Sequence, residues 1–359
     1  RAIGDANADA IVLIGAGRTF IAGADINVFK TLKTRDQCIE RSGAFHARLE
    51  ALENSPKPLV AAIHGHALGG GLEFAMACHY RVAVPGARIG QPEVLLGLIP
   101  GAGGTQRLPR LCGPRLALEL CTEGKPIAAA RALASGIVDL VVNGDLLEGA
   151  IAFATNVVRS GVAPRRTRDL ENEIADRDAG LGACQQARAA LARTARGARA
   201  PFAAVDGIEA AITMDFETGS KRERELSADC VLSDESRALR YLFFAEREVA
   251  KIPDIPRDTP TRDIARAAVV GAGTMGGGIA MAYANAGIPV LLKDVDQAAV
   301  DRGMATIGKN YESTVSKGKM TPEAMAATLG LITPTTSYDG FDRVDIVVEA
   351  VFEDMELKQ

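Results

Sequence analysis

Two glutamates stand beside glycine-rich turns, and their types and spacing suit acid–base chemistry. Glu73 ends the stretch Leu68-Gly69-Gly70-Gly71-Leu72-Glu73, in which three glycines precede an apolar segment that predicts a short helix over Leu72–Cys78. A backbone N–H at such a helix start can point at a developing negative charge, as in an oxyanion hole. Glu93 follows Pro92, and because proline does not continue a helix we expect Glu93 on a loop.

Two carboxylates that converge near an oxyanion hole can hold one water molecule and exchange one proton. One is ionised and acts as the base, and the other, whose pKa is raised by burial and by its neighbour, acts as the acid. This arrangement suits the addition of water across a double bond conjugated to a carbonyl. Spacing alone does not make Glu73 and Glu93 converge, and the alternative is two ordinary surface glutamates.

A second glycine pattern, G-x-G-x-x-G, is formed by Gly271, Gly273 and Gly276. A predicted strand precedes it at Ala267–Val270, a predicted helix follows from Gly277, and the next strand ends at Asp294. The glycines permit a tight turn and a close approach to a pyrophosphate at the helix start. A carboxylate at Asp294 would bind the ribose hydroxyls and repel a 2′-phosphate, which favours NAD over NADP. The alternative is a glycine turn without a ligand.

Four blocks of the first half, in this order, resemble the crotonase superfamily of enoyl-CoA hydratases and isomerases. The blocks are Phe20-Ile21-Ala22-Gly23-Ala24-Asp25-Ile26, His66-Ala67-Leu68-Gly69-Gly70-Gly71-Leu72-Glu73, Gly90-Gln91-Pro92-Glu93 and Gly97-Leu98-Ile99-Pro100-Gly101-Ala102-Gly103-Gly104-Thr105-Gln106-Arg107. The resemblance implies that Ala24 and Gly70 supply the oxyanion N–H groups for a coenzyme A thioester and that Glu73 and Glu93 are catalytic. It also implies a group of substrate-binding positions: Ala22, Asp25 and Ile26, the last two along the coenzyme A path, and Gly101, behind the catalytic water.

The segment after Val269 resembles the NAD-binding domain of 3-hydroxyacyl-CoA dehydrogenase, in part through Val347-Val348-Glu349-Ala350-Val351-Phe352-Glu353. The cofactor contacts that it implies are Gly271, Gly273, Thr274, Met275, Gly276, Asp294, Glu353 and Lys358. Together the two resemblances imply a multifunctional β-oxidation enzyme that hydrates 2-enoyl-CoA and then oxidises the 3-hydroxyacyl-CoA with NAD. Two alternatives stay open: enoyl-CoA isomerisation in the same crotonase site, and a non-catalytic fragment that binds acyl-CoA or NAD.

The order of the predicted strands and helices that position these residues indicates an α/β protein. Short apolar strands alternate with helices, and the stretch Ile252–Pro260 carries three prolines and marks a boundary. We expect a crotonase-type ββα spiral domain over residues 1–170, a helical region and linker over residues 171–260, and a Rossmann-type parallel βαβ domain over residues 261–359. The chain starts with Arg1 and stops at Gln359 within a predicted helix. We therefore expect a fragment that lacks the crotonase N-terminus and the C-terminal part of the dehydrogenase, including its catalytic His–Glu pair.

Composition limits the remaining functions. The net charge is −4 with both signs interspersed, which argues against nucleic acid as a partner. No apolar run approaches the ~18 residues of a membrane helix.

The six cysteines form no C-x-x-C pair and the four histidines form no metal set, so we expect no metal and a reducing compartment. The Ala-, Gly- and Arg-rich composition indicates a bacterial, cytoplasmic protein; a eukaryotic counterpart would be peroxisomal. The sequence makes no prediction about self-association.

Three further sequence features indicate no additional function. No G-x-S-x-G motif supports a Ser–His–Asp hydrolase. The arginines of 188–199 would suit an anion such as a coenzyme A phosphate, but a solvated helix face is the commoner case. Lys57 and Arg107 are expected to be surface or capping charges.

Overall fold

The chain divides into two compact units at its proline-rich segment. A computed structural model describes residues 2–249, 251–256 and 258–358. The units are Arg1–Ile252 and Pro253–Gln359. The finer bounds at residues 170 and 260 stay a prediction. No helix in the described part of the chain is long and apolar enough to span a membrane.

The first unit begins as alternating strands and helices and continues as helices alone. In chain order its elements are β1 (Ile11–Ile14), α1 (Arg35–Glu53), β2 (Leu59–Ile63), β3 (His66–Leu68), α2 (Gly70–Ala77), β4 (Tyr80–Ala83), β5 (Arg88–Gly90), α3 (Gly104–Glu123), β6 (Ile127–Ala128), α4 (Ala129–Ala134), β7 (Leu140–Val141), α5 (Leu146–Ser160), α6 (Arg177–Thr194), α7 (Ala200–Thr213), α8 (Phe216–Leu232) and α9 (Asp234–Val249).

Two sheets lie in this unit. The first has the order β1-β2-β4-β7 with every neighbouring pair parallel. All five residues of β2 are buried, which explains why its sequence is a continuous apolar run. The second sheet has the order β3-β5-β6, in which β3 and β5 are parallel and β6 is antiparallel. Because β3 leads into α2 and β5 leads toward Glu93, this small sheet brings the two predicted catalytic segments side by side.

Helix caps and a shared apolar core fix the helices around these sheets. Thr34 and Gln37 form a reciprocal capping box at the start of α1, and Asp215 accepts the Thr218 N–H at the start of α8. The largest buried cluster joins residues of both sheets to α2, α3, α6, α7 and α8. The helical part of the unit is therefore continuous with the core that carries the glutamates.

The second unit is a four-stranded parallel sheet with helices. Its elements are β8 (Ala267–Val270), α10 (Thr274–Asn285), β9 (Val290–Lys293), α11 (Gln297–Ser316), α12 (Pro322–Leu329), β10 (Ile332–Thr335), β11 (Ile346–Glu349) and α13 (Met355–Lys358). The sheet order is β10-β9-β8-β11, and the unit has a buried core of its own. This parallel βαβ architecture and that of the first unit confirm the predicted α/β class.

Two predicted helix starts are wrong by a few residues. Helix α2 begins at Gly70 instead of Leu72, and α10 begins at Thr274 instead of Gly277. In both cases part of the glycine run has helical backbone, because the glycine just ahead of the helix, Gly69 or Gly273, is already the N-cap residue. Glycine is a poor helix former, so its presence led the sequence prediction to start each helix too late.

Candidate active site

Glu73 is held in the protein interior by the first turn of α2. The turn depends on Gly69, whose φ of +52° favours glycine, and on Gly71, where an added Cβ would lie 2.1 Å from the Ile21 carbonyl oxygen. The Glu73 side chain is 3% exposed. Its Oε1 atom accepts the N–H of Ala102 at 2.7 Å and the N–H of Gly104 at 2.9 Å. The carboxyl group is therefore fixed by the glycine-rich loop and by the first residue of α3.

Burial first, and then the negative charge of Glu223, raise the pKa of Glu73 to about 8. The two backbone hydrogen bonds and the positive charge of Arg107 act in the opposite direction and stabilise the carboxylate. Glu73 is thus a carboxyl group that exchanges its proton near neutral pH, which is the property that a general base or acid requires.

Glu93 lies on a short 3-10 helix, Pro92–Leu96, so the prediction of a loop is wrong. Proline fits the first position of such a helix, because the N–H that it lacks has no helical partner there. The Glu93 carboxyl group lies against the turn that carries α2: a Cβ added at Gly69 would be 2.7 Å from its Oε1 atom. Burial first, and then the charge of Glu73, raise the pKa of Glu93 well above its usual range.

The Gln91 side chain suits either protonation state of Glu93. It is fully buried, and one terminal atom of its amide lies 3.1 Å from Oε1 and 3.2 Å from Oε2 of Glu93. As nitrogen this atom donates to an ionised carboxylate, and as oxygen it accepts the proton of a neutral carboxyl group. The other side of Gln91 faces the loop that binds Glu73, since a Cβ added at Gly104 would lie 2.7 Å from the amide and 2.9 Å from Glu73 Oε1. Gln91 therefore links the surroundings of the two glutamates.

The two N–H groups implied for the oxyanion hole lie close together. A Cβ added at Gly70 would be 3.7 Å from the Ala24 nitrogen and 3.9 Å from Glu73 Oε2. Within the described part of the chain, neither of these N–H groups donates to another residue. Ala24 is brought here because Ile21 pairs with Ala67 of β3. The structure thus gathers two free donors and one carboxylate oxygen in one place.

The substrate-binding positions implied by the resemblance divide into two groups. Ala22 and Asp25 are exposed beside Ala24, and Asp25 caps the 3-10 helix Ile26–Lys30 by accepting the Asn27 N–H at 2.9 Å. Gly101 lies instead in the loop before α3. Its carbonyl oxygen accepts from Ser42 Oγ at 2.5 Å and lies 3.2 Å from His46 Nε2.

Two buried carboxylates near this loop escape the sequence prediction. Glu223 of α8 accepts from the loop backbone, and Glu53 of α1 forms an ion pair with Arg107, at 2.8 Å between Oε2 and Nη2. Arg107 is only 1% exposed, so its prediction as a surface or capping charge is wrong. It is buried because Glu53 neutralises it and because its Nη1 also donates to the Ala102 carbonyl. The one sequence signal for Glu223 is its helical spacing from Leu226 and Cys230, which places it on the buried face of α8.

The second glycine turn has the close packing that its pattern predicts. Gly271 has a φ of +103°, and a Cβ added at Gly276 would be 1.8 Å from the Gly271 carbonyl oxygen. Gly273 precedes α10 with open space around it, and Thr274 and Met275 form the exposed first turn. A helix start of this kind offers N–H groups that can bind a phosphate group.

Asp294 lies at this turn, as expected, and is already engaged by backbone. Its Oδ2 atom accepts the Ala272 N–H at 2.7 Å, and its Oδ1 atom accepts the Val295 N–H at 2.7 Å. Lys358 and Glu353 are joined at 2.7 Å, and Lys358 also contacts Glu349 at 3.1 Å. Among the described residues, no group of three or more His, Cys, Asp or Glu side chains is placed to hold a metal ion.

Two family models match the chain in separate segments. The model described as enoyl-CoA hydratase/isomerase matches residues 1–177. The model described as the NAD-binding domain of 3-hydroxyacyl-CoA dehydrogenase matches residues 266–359. The first segment contains both candidate glutamates, and the second contains the glycine turn at Gly271.

Similar proteins match the chain over nearly its whole length. The chain is 39% identical to a "Peroxisomal bifunctional enzyme" of Danio rerio, over 100% of this chain and 48% of that protein. It is 38% identical to a "Fatty acid oxidation complex subunit alpha" of Shewanella baltica, over 99% of this chain and 51% of that protein. The chain thus spans about half the length of these relatives. Among solved structures, an enoyl-CoA hydratase from Bacillus anthracis is 37% identical, with a TM-score of 0.42, over 54% of this chain and 76% of that one.

Proposed function

Residues 1–177 belong to the enoyl-CoA hydratase/isomerase family and residues 266–359 to the NAD-binding domains of 3-hydroxyacyl-CoA dehydrogenase, and from this premise we propose a two-step function. The protein hydrates a 2-enoyl-CoA in its first unit and takes part in NAD-dependent oxidation of the 3-hydroxyacyl-CoA through its second. The observation that carries the first step is the convergence of Glu73 Oε2 with the free N–H groups of Ala24 and Gly70.

Hydration uses the two carboxyl groups in opposite roles. Glu73 takes a proton from water as the water oxygen bonds to the β-carbon of the thioester. The electron pair of the double bond moves toward the thioester oxygen, where the N–H groups of Ala24 and Gly70 stabilise the negative charge. Glu93 then donates a proton to the α-carbon. Ala22, Asp25 and Ile26 contact the coenzyme A portion, and Gly101 backs the attacking water.

The hydrogen-bond environment supports this division of roles. Glu73 accepts two backbone N–H bonds on one oxygen, which favours its ionised, basic form. Glu93 is raised in pKa by burial and by the charge of Glu73, which favours its protonated, acidic form. The Gln91 amide accommodates Glu93 before and after it gives up the proton.

The test of this assignment is the Glu93→Gln variant. We expect its turnover of crotonyl-CoA, followed by the loss of enoyl-thioester absorbance, to fall by about 10²–10⁴-fold because the variant has no proton to donate. Glu119→Gln is the matched control, since Glu119 is a half-exposed partner of Arg131 and its loss leaves the site intact. Near-normal hydration by Glu93→Gln contradicts the role of Glu93.

Enoyl-CoA isomerisation is the second candidate, because the matching family includes isomerases. Moving a double bond requires one carboxyl group that shuttles a proton, whereas hydration uses two. Turnover of a cis-3-enoyl thioester by wild type, compared with turnover of crotonyl-CoA, separates the two reactions. A chain that binds acyl-CoA and converts neither substrate would instead be a binding fragment.

The second unit fits NAD through its glycine turn. Gly271, Gly273, Thr274, Met275 and Gly276 would hold the pyrophosphate at the start of α10. Asp294 would meet the adenosine ribose, and Glu353 and Lys358 would lie toward the other end of the cofactor. NAD when bound supplies a hydride acceptor for the hydroxyl-bearing carbon. We further propose a cytoplasmic location for a bacterial source and a peroxisomal one for a eukaryotic source, since relatives of both kinds are similar.

A further inference from the structure

Glu223 is a fully buried carboxylate in α8, beyond the segment that matches the hydratase family. Its Oε1 atom accepts the Gly103 N–H at 2.6 Å. Its Oε2 atom accepts the Thr105 N–H at 2.8 Å and the Thr105 hydroxyl at 2.5 Å. Both oxygens of this side chain are thus bound to the loop that also binds Glu73.

Four successive N–H groups, those of residues 102–105, alternate between the two glutamates. The first and third donate to Glu73, and the second and fourth donate to Glu223. A shift of the loop that breaks one set of bonds therefore disturbs the other. The position of the Glu73 carboxyl group depends on a side chain that is 150 residues away in the sequence.

We propose that Glu223 is a positioning residue for the hydration reaction, which holds residues 102–105, the end of the glycine-rich loop and the start of α3, in register and places its carboxylate group beside Glu73. This inference rests on the function proposed above. Glu223 touches no reacting atom in this scheme and acts through Glu73.

Helix α8 also contacts the glycine-rich loop at two points. Ser227 lies one helical turn after Glu223, and a Cβ added at Gly101 would be 2.6 Å from Ser227 Oγ. Gly101 thus packs against Ser227, and the Gly103 N–H donates to Glu223. Both partners lie on the same face of α8. The loop has little freedom to move while α8 is in place.

Among the described side chains, Glu223 also lacks a strong countercharge. Of the described cationic side chains, His46 alone approaches it, at 3.5 Å from Nε2 to Oε1. A buried carboxylate without an arginine or lysine costs stability unless several hydrogen bonds compensate. The loop N–H groups and the start of α3 supply that compensation.

The titratable and charged groups that face this pair come from two α-helices and one short 3-10 helix. They are His46 of α1, Arg107 and Cys121 of α3, and Glu93 of the 3-10 helix. The charge of Glu223 raises the pKa of Glu73, and that of Arg107 lowers it. Removal of the Glu223 charge should therefore make Glu73 easier to ionise.

The experiment compares Glu223→Gln with wild type in the full chain. We expect kcat for crotonyl-CoA hydration to fall roughly ten- to hundredfold, with KM nearly unchanged, because glutamine cannot accept from both sides of the loop. We also expect the acid limb of the kcat pH profile to move to lower pH by about one unit. Glu225→Gln is the matched control, since Glu225 lies on the same helix, is partly exposed and should leave both readouts unchanged.

Glu223→Asp separates the tether from the charge. It keeps the charge, so the acid limb should stay in place, but its shorter side chain cannot reach both donors and kcat should fall about tenfold. An unmoved acid limb in Glu223→Gln overturns the electrostatic part of the inference, and an unchanged kcat in Glu223→Asp overturns the tether. If Glu223→Gln does not fold, the Glu223→Asp result decides alone.

A direct titration keeps this inference distinct from the proposed function. The carboxyl carbon signal of Glu73, identified as the one missing from Glu73→Gln, can be followed by NMR as a function of pH. If wild type does not hydrate crotonyl-CoA, the proposed function fails. A lowered Glu73 midpoint in Glu223→Gln would still support the coupling of the two carboxylates, and an unchanged midpoint would refute it.

Discussion

Glu73 and Glu93 carry the same functional group in different hydrogen-bond environments. Glu73 accepts two backbone N–H groups through one oxygen, whereas Glu93 meets the single amide of Gln91. Burial raises the pKa of both, so neither is a permanently charged surface carboxylate. One proton shared between such groups is the minimum that addition of water requires.

The raised pKa of Glu73 predicts how stability depends on pH. A carboxyl group whose folded-state pKa lies above its unfolded value contributes its full stability below the unfolded pKa and loses it as the pH rises toward about 8. The loss is about 1.4 kcal/mol per pH unit for such a group. Glu73→Gln is always neutral and keeps both backbone bonds through Oε1, so its free energy of unfolding should exceed that of wild type increasingly between pH 5 and pH 8. Chemical denaturation at several pH values measures this, with Glu225→Gln as the control. Parallel curves for Glu73→Gln and wild type would contradict the raised pKa.

The sequence predicts the residue types of the site better than their surroundings. Glycine runs beside Glu73 and Glu93 are local features, and four ordered blocks make them recognisable. Glu223 and the Glu53–Arg107 pair are not local, because each acts across a contact between segments far apart in the chain. In the sequence Glu223 is one of several charges in a charged helix, and only the fold shows that it faces inward.

At the scale of elements, both units use a helix that begins in a glycine turn. Helix α2 follows Gly69, and α10 follows Gly273. Each helix start supplies unpaired N–H groups, which we propose for a thioester oxygen in the first unit and a pyrophosphate in the second. In the second unit the turn is tight because Gly276 packs onto the Gly271 carbonyl.

This packing predicts opposite effects for two glycine substitutions in α10. Gly276→Ala should destabilise the second unit by about 1–3 kcal/mol and weaken NAD binding, because its Cβ would overlap the Gly271 carbonyl oxygen. Gly278→Ala, at an exposed helical position with open space around it, should be neutral or stabilising by about 0.5–1 kcal/mol. Thermal unfolding and NAD titration of both variants test this. Equal behaviour of the two variants would contradict close packing at Gly276.

Sequence patterns predict an element well where burial of a short apolar run alone determines its bounds. The strand Ala267–Val270 has the predicted bounds, because it is a short apolar run that is largely buried in a parallel sheet. The sequence places helix starts within glycine runs too late and does not predict the 3-10 helix at Glu93. The pattern treats its proline as a helix breaker, although proline also starts helices.

At the scale of the whole molecule, the chain consists of two units with separate cores. The apolar core around Glu73 lies in the unit Arg1–Ile252. A second apolar core lies in the unit Pro253–Gln359. A ligand that binds one native core stabilises that core by mass action. The two proposed ligands should therefore act on different unfolding transitions.

Calorimetry of the full chain can test this independence. NAD should raise the midpoint of one transition and leave the other in place, and an acyl-CoA should do the reverse. NADP should have a smaller effect than NAD, because Asp294 repels a 2′-phosphate. One transition that shifts equally with either ligand would contradict two independently folded units.

The alternation of the 102–105 N–H groups between Glu73 and Glu223 also affects how this protein can exchange segments with its relatives. A recombination junction between residue 177 and the start of α8 would join one parent's loop to another parent's Glu223. Such chimeras should inherit activity only when the loop and the helix come from compatible parents, so substitutions on the two sides are expected to be epistatic. The residues that must be inherited together for the proposed hydratase site therefore include α8. This set extends beyond residues 1–177, the segment that matches the family model.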